Sequence, residues 1–142
     1  NYIGDSDCIF KLNIPNDLLT DVFGDGTAMF FYWSDYRKKI NRGPETGFTG
    51  YCKANKGFEF AKIICDSFIT QDFKRFEYWD DGYVIGQLIK ENNGKFKLKD
   101  IVGNTHARTT RVMEIKDNVF FNYVHHFKNK HCKLFDHLDL FK

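Results

Sequence analysis

Along this chain apolar residues come in short runs separated by clusters of Gly, Asn, Asp and Lys. Residues 95–101, Lys-Phe-Lys-Leu-Lys-Asp-Ile, alternate strictly. Phe96, Leu98 and Asp100 fall on one face and lysines on the other, which predicts a half-exposed strand. Residues 27–39 open on Ala28-Met-Phe-Phe-Tyr-Trp33, apolar at both parities, and then turn polar. That pattern predicts a long strand whose first half is buried on both sides. Aromatic and apolar runs at 48–53, 58–65, 68–79 and 83–90 predict further strands. The turns joining them are Ala54-Asn-Lys-Gly57, Asp80-Asp81-Gly82 and Glu91-Asn-Asn-Gly94, with a break inside 68–79 at Gln71-Asp72. Residues 110–142 predict three consecutive antiparallel strands, linked by an Asp117-Asn118 turn and a polar turn over 128–131.

Before these come a short extended lead-in at 8–14 and one or two helical turns over 17–23. Asn16 or Asp17 is the expected N-cap, and Gly24-Asp25-Gly26 the end. Two loops stand out, 41–47 and 102–108. The sum is about eight strands with mostly hairpin-length connections. A sandwich needs longer Greek-key links. The expected fold is therefore all-β: an eight-stranded up-and-down antiparallel β-barrel, in one domain over 1–142, preceded by a short helical turn.

Composition narrows this further. Of the 142 residues 42% are hydrophobic and 18% aromatic, 16 of them Phe, which favours packed sheet over a helical bundle. A net charge of +2 is too small to imply a nucleic-acid partner. No apolar run approaches the ~20 residues of a membrane span. The chain opens on Asn1 rather than Met, consistent with removal of a leader or with trimming. Cys8, Cys52, Cys65 and Cys132 form an even set without Cys-x-x-Cys spacing, as expected for two disulfides in a secreted protein. Their pairing is open, and no Asn-x-Ser/Thr sequon occurs.

The order of these pieces resembles the lipocalins, within the calycins, over residues 18–142. In that family a helical turn leads to Gly-x-Trp at the first strand; here Phe23-Gly24-Asp25-Gly26-Thr27-Ala28 takes that place, and the nearest Trp is Trp33. Asp117 in Ile115-Lys116-Asp117-Asn118 matches the Asp of the family's Thr-Asp-Tyr turn, and Lys142 stands where the last strand carries Arg. The loss of these motifs with paired cysteines and abundant aromatics is similar to the salivary lipocalins of blood-feeding arthropods. The resemblance implies a secreted, non-catalytic protein that sequesters a host mediator in its lumen.

In such a barrel every second residue faces the interior. The candidate lining is Phe31, Trp33, Phe60, Tyr78, Phe121 and Tyr123, with Glu77 or Asp136 as a carboxylate that an aromatic-ringed amine would neutralise. A small hydrophobic or cationic ligand is expected, with no cofactor and no metal. A protein partner held by the loops at 41–47 and 102–111 is the alternative. His125, His126, His131 and His137 are the only cluster of metal-ligand type, and adjacent strand residues point to opposite faces. His106, Arg108 and Arg111 would suit an anion. An enzyme using His125 or His126 with Asp136 is the least supported class, since no nucleophile, base and orienting group are legible together.

Overall fold

The strand expected to be buried on both sides is the centre of the molecule. The computed structural model describes residues 2–4, 8–10, 12–101, 119–120 and 122–126. In chain order the elements are β1 (Tyr2–Gly4), β2 (Cys8–Phe10), α1 (Asn16–Phe23), β3 (Met29–Tyr32), α2 (Asp35–Lys39), β4 (Glu45–Tyr51), α3 (Gly57–Ile69), α4 (Asp81–Glu91), β5 (Leu98–Asp100) and β6 (Val124–His126). One sheet has the order β1-β4-β3-β5, and β2 pairs with β6 in a separate two-stranded sheet.

The expected all-β barrel is wrong, and the pairing of β3 shows why. It runs antiparallel to β4, with Phe30 opposite Gly50, but parallel to β5, with Phe30 opposite Lys99. Parallel neighbours cannot be joined by a hairpin and need a crossover. Here α2, β4, α3 and α4 all lie between β3 and β5 in the chain. The sheet is open, with β1 and β5 as its edges.

Two of the expected strands are helices. In α3 the buried positions Gly57, Phe60, Ile64 and Ser67 recur at helical spacing. Within the apolar run expected as a strand, Phe60 is buried and Phe58 is exposed. In α4, Tyr83, Val84, Ile85, Leu88 and Ile89 are all buried, an apolar run too dense for period alone to separate helix from strand. Asp80-Asp81-Gly82, expected as a hairpin turn, is the N-terminus of α4: the Asp80 carboxylate accepts from Tyr83 N at 3.0 Å as its N-cap. The stretch 68–79 is the end of α3, a 3-10 turn over Asp72–Arg75 and an irregular segment. Of the three strands expected over 110–142, the described part holds a turn at Val119 and Phe120, where Tyr123 N and Val124 N both bond to Phe120 O, and then β6. The rest lies outside the described residues.

Each face of β3 has its own core. Met29, Phe31 and Trp33 pack with Phe60 and Ile64 of α3 and with Val84, Leu88 and Ile89 of α4. Phe30 and Tyr32 pack with Phe48, Val22 of α1, Phe120 and Val124. Phe30 stacks on Phe120 at 5.1 Å between ring centroids, and Phe48 meets Phe120 edge-on at 5.2 Å. The Phe30 ring lies over Gly50, where a Cβ would come within 2.1 Å of it.

A polar knot joins α1 to the sheet. Asp25 accepts from Thr27 N at 3.2 Å and Thr27 Oγ1 at 2.5 Å, and pairs with Lys97 at 3.2 Å and Lys99 at 3.4 Å. The Thr27 hydroxyl first, then the two ammonium groups, hold the exposed Asp25 carboxyl well below the usual carboxylate range. Its contribution to stability is therefore complete above the unfolded carboxylate value of about 3.9. It is lost as pH falls toward the folded value. Asp25→Asn is expected to lower stability at neutral pH, and the gap from the wild type should narrow in acid. Urea unfolding at about pH 7 and about pH 2.5 checks this through the linkage relation; a gap of equal size at both would contradict it.

Candidate functional site

Among the described residues, a concavity that joins polar groups to aromatic rings lies where α4 begins. The loop after α2 and the segment before α4 face each other across a cavity of about 320 Å³, lined by Ile40, Asn41, Arg42, Tyr78, Asp80 and Tyr83. This is within the size range of small-ligand sites, roughly 300–1,000 Å³.

Local sequence explains both walls. Ser34 caps α2, its Oγ accepting from Arg37 N at 3.3 Å. The helix stops after one further turn because Asn41 takes a positive φ of 53°, a conformation Asn tolerates better than most residues. Arg42 N then bonds back to Arg37 O at 2.8 Å. The Trp33 indole N–H donates to Arg42 O at 2.8 Å and ties this wall to the end of β3. Beyond Arg42 the chain meets α4 backbone to backbone. A Cβ on Gly43 would lie 1.6 Å from Gly82 O, and one on Gly86 would lie 3.1–3.2 Å from Pro44, Gly43 and Trp33. Glycines at these three positions let the loop sit directly on the first turns of α4.

On the opposite wall, Asp80 uses one oxygen as the helix cap and has no second partner among the described residues. Asp81 is held twice, by Gly82 N at 2.7 Å and by Thr46 Oγ1 at 2.9 Å. The Tyr78 ring meets Tyr83 edge-on at 5.0 Å, a favourable aromatic geometry. Tyr78 is half exposed, and its phenol is pushed up by a hydrogen bond to Glu77 and that carboxylate's charge, so it stays protonated. The Arg42 guanidinium has no ion-pair partner among the described residues.

The residues expected to line a lumen divide between a shared core, the opposite face of the sheet and the surface. Phe31, Trp33 and Phe60 are core on the α3/α4 face of the sheet, and Tyr123 packs on the opposite face. Phe60 contacts Phe96 at 5.3 Å and Phe31 contacts Trp33 at 6.4 Å. Of the expected lining among the described residues, Tyr78 alone reaches the cavity, with Glu77 beside it on the surface. Phe121 and Asp136 lie outside the described residues, as do His106, Arg108, Arg111, His131 and His137; of the side chains of His125 and His126 in β6 nothing is described. The two-disulfide framework is also corrected: Cys52 and Cys65 are free thiols, and any two-bridge pairing would use both. Cys132 lies outside the described residues, and the Cys8 side chain is not described.

Sequence reasoning missed Asp80, Tyr83 and Ile40 as site residues. The signal was present in Asp80, which has the residue type and position of a helix N-cap. Asn41 and Arg42 were expected in a binding loop. Among the described residues no helix is long and apolar enough to cross a membrane. A second concavity between α3 and α4, lined by Asp66, Ser67, Asp72, Arg75 and Glu91, is more open, and its charges are paired: Arg75 binds Glu91 through both terminal nitrogens at 2.6 Å and Asp72 at 2.8 Å, and Asp66 pairs with Lys62. No family model matches this chain, and neither a curated protein nor a solved structure matches it.

The glycine contacts give a graded expectation. Gly43→Ala is expected to destabilise by about 1–3 kcal/mol through overpacking against Gly82. Gly86→Ala meets only tight contacts and gains about 1 kcal/mol of helix propensity, so it should stay near the wild type. Urea midpoints of the two variants check this, and equal losses would contradict the close loop–helix contact.

Proposed function

We propose that this domain binds a small, uncharged, hydroxyl-rich ligand of the saccharide class in the cleft between Arg42 and Asp80. The observation that carries this is the make-up of the walls. A sugar ring presents hydroxyls that donate and accept, and apolar C–H faces. Asp80 offers acceptors, Arg42 donors, and Asn41 both. The rings of Tyr78 and Tyr83, with Ile40, offer apolar surface. One guanidinium and one carboxylate balance each other, which suits a neutral ligand better than a charged one. An amine drawn to Asp80 would also meet the Arg42 charge, so the cationic ligand expected from sequence fits this cleft less well. A lumen for a hydrophobic ligand has no place in an open sheet. With Cys52 and Cys65 free, paired cysteines give no support to the expected secreted location.

The binding test is saturation-transfer NMR with lactose, maltose, cellobiose and N,N′-diacetylchitobiose, with tyramine as the cationic rival. At least one disaccharide should show transfer that tyramine does not displace. Tyr78→Ala and Asp80→Asn are each expected to weaken it about tenfold, or about 1.4 kcal/mol. Transfer from none of the four, or transfer undiminished in both variants, would overturn the reading.

A further inference from the structure

The wall that carries Asn41 and Arg42 has no regular secondary structure between α2 and β4. It is nevertheless held at three consecutive residues by a single side chain. Arg37 Nε donates to Gly43 O at 2.6 Å, Nη2 donates to Pro44 O at 3.1 Å, and Nη1 meets Glu45 Oε2 at 3.4 Å. The same residue's carbonyl accepts from Arg42 N. Arg37 and Glu45 are inside the protein, with side chains 12% and 4% exposed. The guanidinium also lies against α4, with Nη2 3.5 Å from where a Gly82 Cβ would be. Gly43, Pro44 and Glu45 are buried, so the carbonyls of Gly43 and Pro44 need a donor in place of water.

We infer that Arg37 is a positioning residue for the cleft: its planar fork sets where Asn41 and Arg42 stand relative to Tyr78 and Asp80. It touches no ligand and does not line the cavity. The inference rests on the cleft reading above. A lysine would keep the charge near Glu45 but is a point donor that cannot reach Gly43 O and Pro44 O in the fixed geometry of a guanidinium. Displacing reacting or binding groups by about an ångström is enough to lose large factors in efficiency.

The molecule contains its own reporter. Trp33 Nε1–H bonds to Arg42 O on the held wall, whereas Trp79 Nε1–H bonds to Phe76 O, away from it. These are the only two tryptophans, so the two indole N–H resonances read the wall and a control site separately. In Arg37→Lys, the Trp33 indole resonance is expected to move toward the free-indole position and the Trp79 resonance to stay. The affinity for whichever of the four disaccharides binds the wild type best should fall about tenfold, measured well below the melting temperature. Glu45→Gln keeps both carbonyl bonds, so its Trp33 resonance should stay in place and its affinity should remain within about twofold of the wild type. An unmoved Trp33 resonance with unchanged affinity in Arg37→Lys, while Tyr78→Ala still weakens binding, would overturn the role of Arg37 and leave the cleft reading standing. A wild type that binds none of the disaccharides would overturn both. If Arg37→Lys does not fold, Glu45→Gln decides: near-wild-type binding supports the carbonyl fork, and a tenfold loss places the hold in the charge pair and overturns it.

Discussion

A strand with no polar side constrains this structure more than any other element. Met29, Phe30, Phe31 and Tyr32 are all buried, so β3 needs cover above, below and on both edges. The edges are closed by β4 and β5, which also satisfy its backbone donors and acceptors. One face is closed by α3 and α4, and the other by α1 with Phe120 and Val124. A barrel of hairpins would cover such a strand only by filling its lumen. An open sheet covered on both faces does so directly, and it needs the parallel β5 to return from across the sheet. The high phenylalanine content fits this arrangement, since the second core is largely rings meeting rings.

The cleft is a consequence of how closely the loop after α2 approaches α4. Helices with side chains at their contacts usually keep neighbours 8–10 Å away from their axes, an approximate figure. Gly43, Gly82 and Gly86 remove that padding, and the loop backbone rests on the helix backbone. The same approach leaves Tyr83, one turn into α4, facing Arg42 and Asn41, and puts the cap residue Asp80 at the rim. The N-cap bond that starts α4 thereby also orients the carboxylate of the site. One interaction serves the fold and the cleft.

Sequence patterning marks several boundaries between elements but not the state of the elements they bound. The buried first half of the strand expected at 27–39, part of the strand expected at 48–53, the short helix before Gly24 and the middle of the alternating strand at 95–101 are legible, but 35–39 is α2 and β4 begins already at Glu45. What failed was the state of 58–65 and 83–90. Glu59 and Lys62 interrupt an apolar run in a way that fits either period over a few residues, and α4 is apolar nearly all round because both the core and the glycine-rich loop press on it. With 58–65 and 83–90 read as strands, the parallel pairing of β3 with β5 cannot appear, and Phe31 and Trp33 read as lumen residues. The site was half legible: Tyr78 and the loop at Asn41 and Arg42 were singled out. Asp80 is ambiguous in the sequence because Asp-Asp-Gly serves equally as a hairpin tip and as a helix start.

The surface and buried ion pairs do different work. Lys62–Asp66, Arg75–Glu91 and Lys38–Asp35 are exposed, and pairs of that kind contribute about 0–1 kcal/mol each. Arg37–Glu45 is buried, where desolvation cancels much of the attraction and an apolar pair of the same size can be as stable. Its retention is then not explained by stability. An apolar replacement would fill the space but leave the Gly43 and Pro44 carbonyls without a donor, and the irregular segment would have to find another path across α4. A guanidinium with three acceptors arranged around it admits one path. The buried charge is better understood as fixing the shape of a wall than as strengthening the fold.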